Sequence, residues 1–332
     1  MLRIPYSELF DTLRGVLLKL GFEPPRAELC ARLFAETDRD GIYSHGLNRF
    51  PRFVRSVRDG RVDPSATPAL VAGRGSLERW DGRRGPGNLN AHASMARAME
   101  LAREHGVGCV ALANTNHWMR GGSYGWQAAD AGMIGVCWTN TVPNLPPWGS
   151  TELLVGNNPL VIAVPRATGH VVLDMAMSQF SYGALESYAM RGEQLPVPGG
   201  FDDEGRLTTD PVAIEKTQRL LPMGYWKGSG LALALDLLAG LLSGGRFSYA
   251  IGPDMEKETG VSQVFIAFDA LSGSAMNSLS GVDEVIEQIA SRAAARGESV
   301  RYPGEQVLAT RKENLEKGIP ATPAVWEQVR AM

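Results

Sequence analysis

Cysteine is scarce and scattered. Cys30, Cys109 and Cys137 are an odd number with no CxxC spacing. That excludes a disulfide framework and fits a reducing, cytoplasmic compartment. Each reads as a small buried apolar side chain. Positive charge in excess is also missing: 33 Lys and Arg stand against 36 Asp and Glu, a formal net charge of -3. A phosphate backbone would find little to neutralise it, so nucleic acid is excluded as an expected partner. Long apolar runs are absent too. The most apolar stretch, Leu231 to Leu242, is about half the length of a membrane span and contains Asp236. Near the N-terminus, Glu8 and Asp11 interrupt the apolar run that a signal peptide needs, so no leader and no membrane association are expected.

What remains is an ordinary globular composition, 44% hydrophobic and 21% charged, which excludes disordered, collagen-like and coiled-coil chains. Glycine (38) and proline (20) are plentiful enough to predict frequent turns and close backbone approaches. The first forty residues read as two helices parted by Gly21 and Pro24-Pro25. The first is amphipathic, with Tyr6, Leu9, Leu13, Val16, Leu17 and Leu20 on one face. A third helix starts at Pro51 and stops near Gly60. Arg61 to Gly87 reads as turn-rich, and Asn88 to His105 as a helix that Gly106 terminates.

Short apolar runs then predict buried strands at 107–114, 134–140, 160–165, 171–177 and 261–269. Helices are expected over Ser123–Ala131, Phe180–Arg191 and Gly228–Leu242, with a polar turn-rich loop, LPVPGGFDDEGRLTTDP, between the last two. Three more helices close the chain, at about 282–296, 304–316 and 322–331. Helical ends thus enclose a sheet-containing middle. The expected division is 1–70 together with 282–332 as a helical subdomain around a 71–281 core, one interwoven unit and not tandem domains.

Five histidines can be weighed one by one. His92 and His105 lie on a polar helix, and His170 begins a strand. His45 and His117 differ. His45 lies between helices in GIYSHGLNRFPRF, and His117 follows a strand in NTNHWMRGGSYGW, opening into a Gly-Gly turn. Loops of this kind often carry reactive groups. Ser44, His45 and Arg49 together suit reduction of a 2-oxo acid: a His of near-neutral pKa supplies a proton, and an Arg fork holds the carboxylate. The alternative is that Arg49, Arg52 and Arg55 form a solvated basic face, and the residues alone leave both readings open.

No HExxH, HxxH or cysteine cluster predicts a metal. The run Asp202-Asp203-Glu204 between Gly200 and Gly205 reads as a solvated turn before a cation site. Gly106-Val-Gly-Cys-Val-Ala111 matches GxGxx[GA] but leads from a helix into a strand, the reverse of a dinucleotide-binding turn. Gly228-Ser-Gly230 after Lys227 fits either a phosphate at a helix N-terminus or close helix packing.

Seven segments then carry a resemblance: YSHGLNRFPRF, NTNHWMRGGSYGWQAA, CWTN, VGNNP, VLDMAMS, LPMGYWKGSG and RYPGE. With matching spacing over nearly the whole chain, they resemble the type-2 malate/L-lactate dehydrogenase family of nicotinamide oxidoreductases. The similarity is greatest to a branch that reduces a diketo sugar acid. The resemblance implies a non-Rossmann α/β fold with a large, mostly antiparallel sheet and helical N- and C-terminal parts. It implies a homodimer with the cofactor near the subunit interface. NADH is the expected cofactor, with NADPH left open. The expected reaction is reduction of a 2-oxo sugar acid, the alternatives being malate, lactate and imino acids.

By motif position, His45 corresponds to the proton donor and His117 to a second active-site histidine, either of which could be the principal donor. Ser44 and Arg49 correspond to substrate-binding residues. Cofactor contacts map to His170, Val171, Val172, Leu173, Asp174, Met175 and Ala176, to Trp226 and Lys227, and to Gly304 and Glu305. Asn140 and Ser178 are expected to line the site, and Asp174 is also a candidate for orienting a polar partner.

Overall fold

A computed structural model describes residues 2–269 and 278–332. The chain opens with a short strand, β1 (Leu2–Ile4), and three helices, α1 (Tyr6–Lys19), α2 (Pro24–Arg39) and α3 (Phe50–Arg58). A hairpin follows, β2 (Ala69–Arg74) and β3 (Leu77–Asp81), then α4 (Gly87–His105), β4 (Val107–Thr115), α5 (Gly122–Asp130) and β5 (Ile134–Thr139). Next come β6 (Leu160–Val164), β7 (Val171–Met175), α6 (Tyr182–Arg191), a small hairpin β8 (Gly200–Phe201) and β9 (Leu207–Thr208), and α7 (Pro211–Thr217). The chain continues through α8 (Trp226–Ser243), the single turn α9 (Ser248–Ile251) and β10 (Val261–Phe268). It ends with α10 (Ser278–Ala294), α11 (Glu305–Lys317), β11 (Ile319–Ala321) and α12 (Pro323–Arg330).

Seven strands form one sheet in the order β2-β3-β4-β10-β5-β6-β7. Every pair is antiparallel except β3–β4, whose parallel register needs the α4 crossover between them. The sheet is therefore α/β and mostly antiparallel, as the resemblance implies. Its two faces are both covered. Val110, Leu112, Cys137, Val161, Val172 and Phe265 join the α4 and α5 side, while Ala111, Trp138, Leu160 and Val264 join the α8 side. Strands buried on both faces read as continuous apolar runs, as β4, β5 and β10 do, while β6 and β7, near the sheet's other edge, each leave one residue exposed.

The turn-rich reading of Arg61–Gly87 needs correction, because that segment contains the β2–β3 hairpin. β2 is the outermost strand of the sheet and all but one of its residues are exposed. With neither face against a core, it carries no hydrophobic pattern to read. The polar loop after α6 likewise contains β8–β9. There Arg206 takes Asp202 and Glu204, and Lys216 takes Asp203, so the acidic run is spent on a tied turn.

A separate core joins the two ends of the chain. Leu9, Leu13, Leu17, Phe34, Phe50 and Phe53 pack with Ile319, Trp326 and Val329. Phe34 meets Phe50 edge-on at 5.1 Å and 88°. Residues Leu2–Ile4 pair antiparallel with Ile319–Ala321. The N-terminal helices therefore have their position fixed by the C-terminal segment, and that placement brings the turn after α2 against the end of β4.

Candidate active site

The turn after α2 is a short 3-10 segment, Tyr43–His45. Asp38, near the end of α2, accepts the Leu47 N–H at 2.6 Å and pins the far side of the turn. Gly46 has no room for a side chain, since a Cβ there would lie 2.2 Å from Asp38 Oδ2. From the other direction, Asn314 of α11 donates to the Asp38 and Arg39 carbonyls and to the Tyr43 hydroxyl. Two helices, α2 and α11, thus hold Ser44 and His45 in place.

His117 arrives from the end of β4. Its loop is anchored by Trp118, buried against Tyr124 and Phe265, with the Tyr124 hydroxyl donating to the Trp118 carbonyl. The two imidazoles meet with ring centroids 5.7 Å apart and planes inclined by 24°. Met119 N–H donates to His117 Nδ1 at 3.0 Å, so in the neutral ring Nε2 carries the proton. Ser44 Oγ lies 2.9 Å from His45 Nδ1. A hydroxyl can donate to the neutral ring or accept from the protonated one, so this contact survives a change of charge. Neither Nε2 has a hydrogen-bond partner among the described residues.

Electrostatics set both rings neutral. Removal from water, then the positive charges of Arg49 and Arg120, push the His45 pKa down to about 4. Burial, Arg49 and the neighbouring His45 hold His117 well below the ordinary histidine range. Arg49 itself is lowered to about 10, mainly by burial and by Arg52, against the opposing pull of Glu258 and Glu256. Arg49, Arg52, His117, Asn116 and Glu258 line one cleft. Among the described residues Arg49 has no ion pair, while Arg52 and Arg55 both reach Glu256 at 3.3 Å. A cation left unpaired beside two neutral imidazoles is suited to a carboxylate with an adjoining carbonyl.

Sequence reasoning missed a second layer. Asp40, 3% exposed, receives Arg311 through two bonds of 2.8 Å, Arg39 at 2.8 Å and Arg120 at 2.6 Å. Burial alone would raise its pKa, but the bonds from Arg311 and the charges of Arg120 and Arg39 outweigh it and hold the carboxyl below its usual range. Arg120 stands in HWMRGG, two residues from Gly122, and that adjacency was the available signal. Gly122 N–H donates to Asp174 Oδ2 at 2.7 Å. Burial raises the Asp174 pKa, against Arg120 and the Gly122 N–H. Asp174 therefore orients the start of α5 and faces Arg120, the polar-partner role considered for it.

The other singled-out residues fall into groups. His170 to Ala176 include all of β7, the terminal strand of the sheet, and Gly304 packs directly on it: a Cβ there would lie 3.0 Å from the His170 carbonyl. Val172 N–H donates to Pro303 O at 2.9 Å, so the segment before α11 covers the edge there, and period two aims the backbone of Asp174 towards the same edge. Glu305 keeps one carboxylate oxygen buried without a partner. The His170 ring is itself engaged, by Asp130 at 3.0 Å and by the Arg166 N–H. Trp226 and Lys227 follow a backbone link from Met223 to Met177, just beyond β7, and Trp226 is exposed.

Ser178 is buried with a free Oγ, and Ser44 lies close to Gly183 of α6. Asn140 does not line the site. Its amide is fully used on Asp236, the Arg246 carbonyl and the Ser262 N–H, so it braces the back of the sheet. Gly228 packs closely, since a Cβ there would lie 2.3 Å from the Met223 carbonyl, whereas a Cβ at Gly230 would meet nothing nearer than the Trp226 ring at 4.0 Å.

A family model described as malate/L-lactate dehydrogenase matches residues 4–330. The chain belongs to that family. Among relatives, 2,3-diketo-L-gulonate reductase of Klebsiella pneumoniae (strain 342) is 46% identical over 335 aligned positions, covering all of both chains. The protein of the same name from Escherichia coli K12 is 44% identical over the same extent. Of solved structures, sulfolactate dehydrogenase from Methanocaldococcus jannaschii superimposes with a TM-score of 0.91 at 27% identity. That match covers 99% of this chain and 95% of the other. This malate/L-lactate dehydrogenase family member is therefore an oxidoreductase acting between hydroxy and oxo groups, and its family is one of pyridine-nucleotide enzymes. Among the described residues no helix is long and apolar enough to cross a membrane.

Proposed function

We propose that the protein reduces 2,3-diketo-L-gulonate to 3-dehydro-L-gulonate with NADH, His45 supplying the proton. The observation that carries this reading is the stacked His45–His117 pair beside the unpaired guanidinium of Arg49. When bound, NADH would supply a hydride to the C2 carbonyl carbon, with the C=O π pair passing to oxygen. His45 Nε2 gives that oxygen a proton and Ser44 steadies the ring from Nδ1. His117, neutral with its proton on Nε2, donates a hydrogen bond to the same oxygen or to the carboxylate. Arg49 clamps the carboxylate and so presents the C2 carbonyl to the two histidines.

The residues of β7 and its neighbours fit a dinucleotide. Beyond Val172, where Pro303 is bonded, the edge of this terminal strand offers backbone donors and acceptors to an amide and to ribose hydroxyls. The unpartnered oxygen of Glu305 suits a hydroxyl donor, and Trp226 and Lys227 offer an exposed ring and a charge to a base and a phosphate. His170–Ala176, Trp226–Lys227 and Gly304–Glu305 are the residues we assign to holding it. Three free cysteines suit a cytoplasmic enzyme.

A homodimer completes the reading. α8 buries Ala232, Leu235 and Ala239 on the sheet and leaves Leu233, Leu237, Leu238 and Leu241 exposed. This stripe carries no charge, so two copies can meet face to face without repulsion. Leu241→Glu is expected to yield monomers in analytical ultracentrifugation. An unchanged mass would remove this face from the interface.

The assignment is tested by following NADH absorbance with 2,3-diketo-L-gulonate, oxaloacetate, pyruvate and a cyclic imino acid. A clear preference for the diketo acid is expected. Equal or better kcat/KM with oxaloacetate would overturn the substrate assignment.

A further inference from the structure

The cleft beside His117 has a second polar wall for which hydride transfer has no use. Glu258 follows a short 3-10 turn, Met255–Lys257, that leads into β10. Its Oε1 accepts the Val142 N–H at 3.2 Å, and its Oε2 has no donor among the described residues. Asn116, 4% exposed, offers a second such acceptor. Its Nδ2 donates to the carbonyls of Arg61, Arg84 and Gly85, which fixes the amide orientation. Its Oδ1 is left buried and without a partner. Both residues line the cleft that holds Arg49 and His117.

Acceptors without donors are costly when a site closes around a ligand that offers none. Pyruvate has no hydroxyl to give them. Oxaloacetate would bring a second carboxylate towards Glu258, a like charge in a partly desolvated place. A polyhydroxylated chain brings hydroxyl donors. Removal from water raises the Glu258 pKa, while Arg49, the Val142 N–H and Arg52 oppose that shift. Arg49 thus takes the carboxylate end of the ligand, and the two acceptors share the cleft with it and with His117.

We propose that Glu258 and Asn116 form a hydroxyl-recognition subsite that selects polyhydroxylated 2-oxo acids over dicarboxylic and short-chain ones. The inference rests on reading the cleft as a 2-oxo acid site. Its test is the ratio of kcat/KM values for 2,3-diketo-L-gulonate, oxaloacetate and pyruvate in wild type and in Glu258→Gln. The Gln side chain keeps the shape and one acceptor for Val142 but loses the charge and the second acceptor. The diketo acid is expected to lose about tenfold or more in kcat/KM, mostly through KM. Oxaloacetate is expected to gain, and pyruvate to change little.

Equal losses with all three acids would make Glu258 a support for Arg49 and overturn the subsite; unchanged ratios would overturn it as well. NADH binding, read by fluorescence, verifies that the variant is folded. If Glu258→Gln fails to bind NADH, the same ratios are read in Glu258→Asp, whose shortened carboxylate must also shift preference away from the diketo acid. A wild-type enzyme that oxidises NADH with none of the three acids would defeat the underlying reading instead, a result distinct from unchanged ratios.

Discussion

His45 and His117 come from segments joined by no local contact, yet their rings stack 5.7 Å apart at 24°. Two imidazoles this close cannot both be protonated cheaply, and Arg49 and Arg120 add to the penalty. The free enzyme therefore holds both rings neutral, whereas reduction of a carbonyl needs an imidazolium. A carboxylate bound at Arg49 offsets the charge that depresses His45 and lets the ring take up a proton. Binding of the acid and protonation of its proton donor are coupled in this account.

That coupling gives a pH signature. In the free enzyme the His45 pKa is lowered to about 4, so the protonated form shrinks as pH rises above that value. kcat/KM for reduction should then fall with rising pH across the neutral range, by about tenfold per unit where His45 alone titrates. kcat, which reports the bound complex, should hold to higher pH. A kcat/KM profile that breaks at the ordinary histidine value of about 6.5 would contradict the depressed free-enzyme pKa.

Arg49→Lys keeps a positive charge but loses the planar fork that matches a carboxylate. KM for the 2-oxo acid is expected to rise by about tenfold or more, with KM for NADH nearly unchanged. Steady-state kinetics with each substrate varied in turn would show it. An unchanged KM for the acid would remove Arg49 from substrate recognition.

Asp40→Asn tests the layer behind the histidines. Removing the carboxylate leaves Arg39, Arg120 and Arg311 facing one another, and loss of one partner from a buried ion pair costs about 3–5 kcal/mol. Because the folded-state pKa lies below the unfolded one, this stabilisation is present above the ordinary carboxylate range. It is lost as pH falls through the folded value. Urea denaturation near neutral pH should show the full deficit in the variant, and the gap to wild type should narrow in acid. Equal stabilities near neutral pH would show that the cluster contributes nothing net.

Much of this arrangement was legible in the sequence. Strands covered on both faces announce themselves as apolar runs, and Gly106 ends α4 in the left-handed conformation that glycine favours. The motifs carried His45, Arg49 and His117 because each stands in a dense local signature. Asp40 and Glu258 were not legible, for a different reason. Asp40 gains its meaning from Arg120, 80 residues on, and Glu258 from Val142, 116 residues before it. Neither spacing leaves a periodic or local trace. The exposed strand β2 was missed because nothing packs on it to impose a pattern.

The central claim is that His45 gives the proton, and kcat of His45→Asn for NADH-dependent reduction of 2,3-diketo-L-gulonate tests it most directly. Asn is smaller, can still reach Ser44, and cannot donate a titratable proton. With NADH binding intact, kcat should fall by about 10²-fold or more. A kcat close to wild type in a variant that still binds NADH would contradict the account and pass the role to His117.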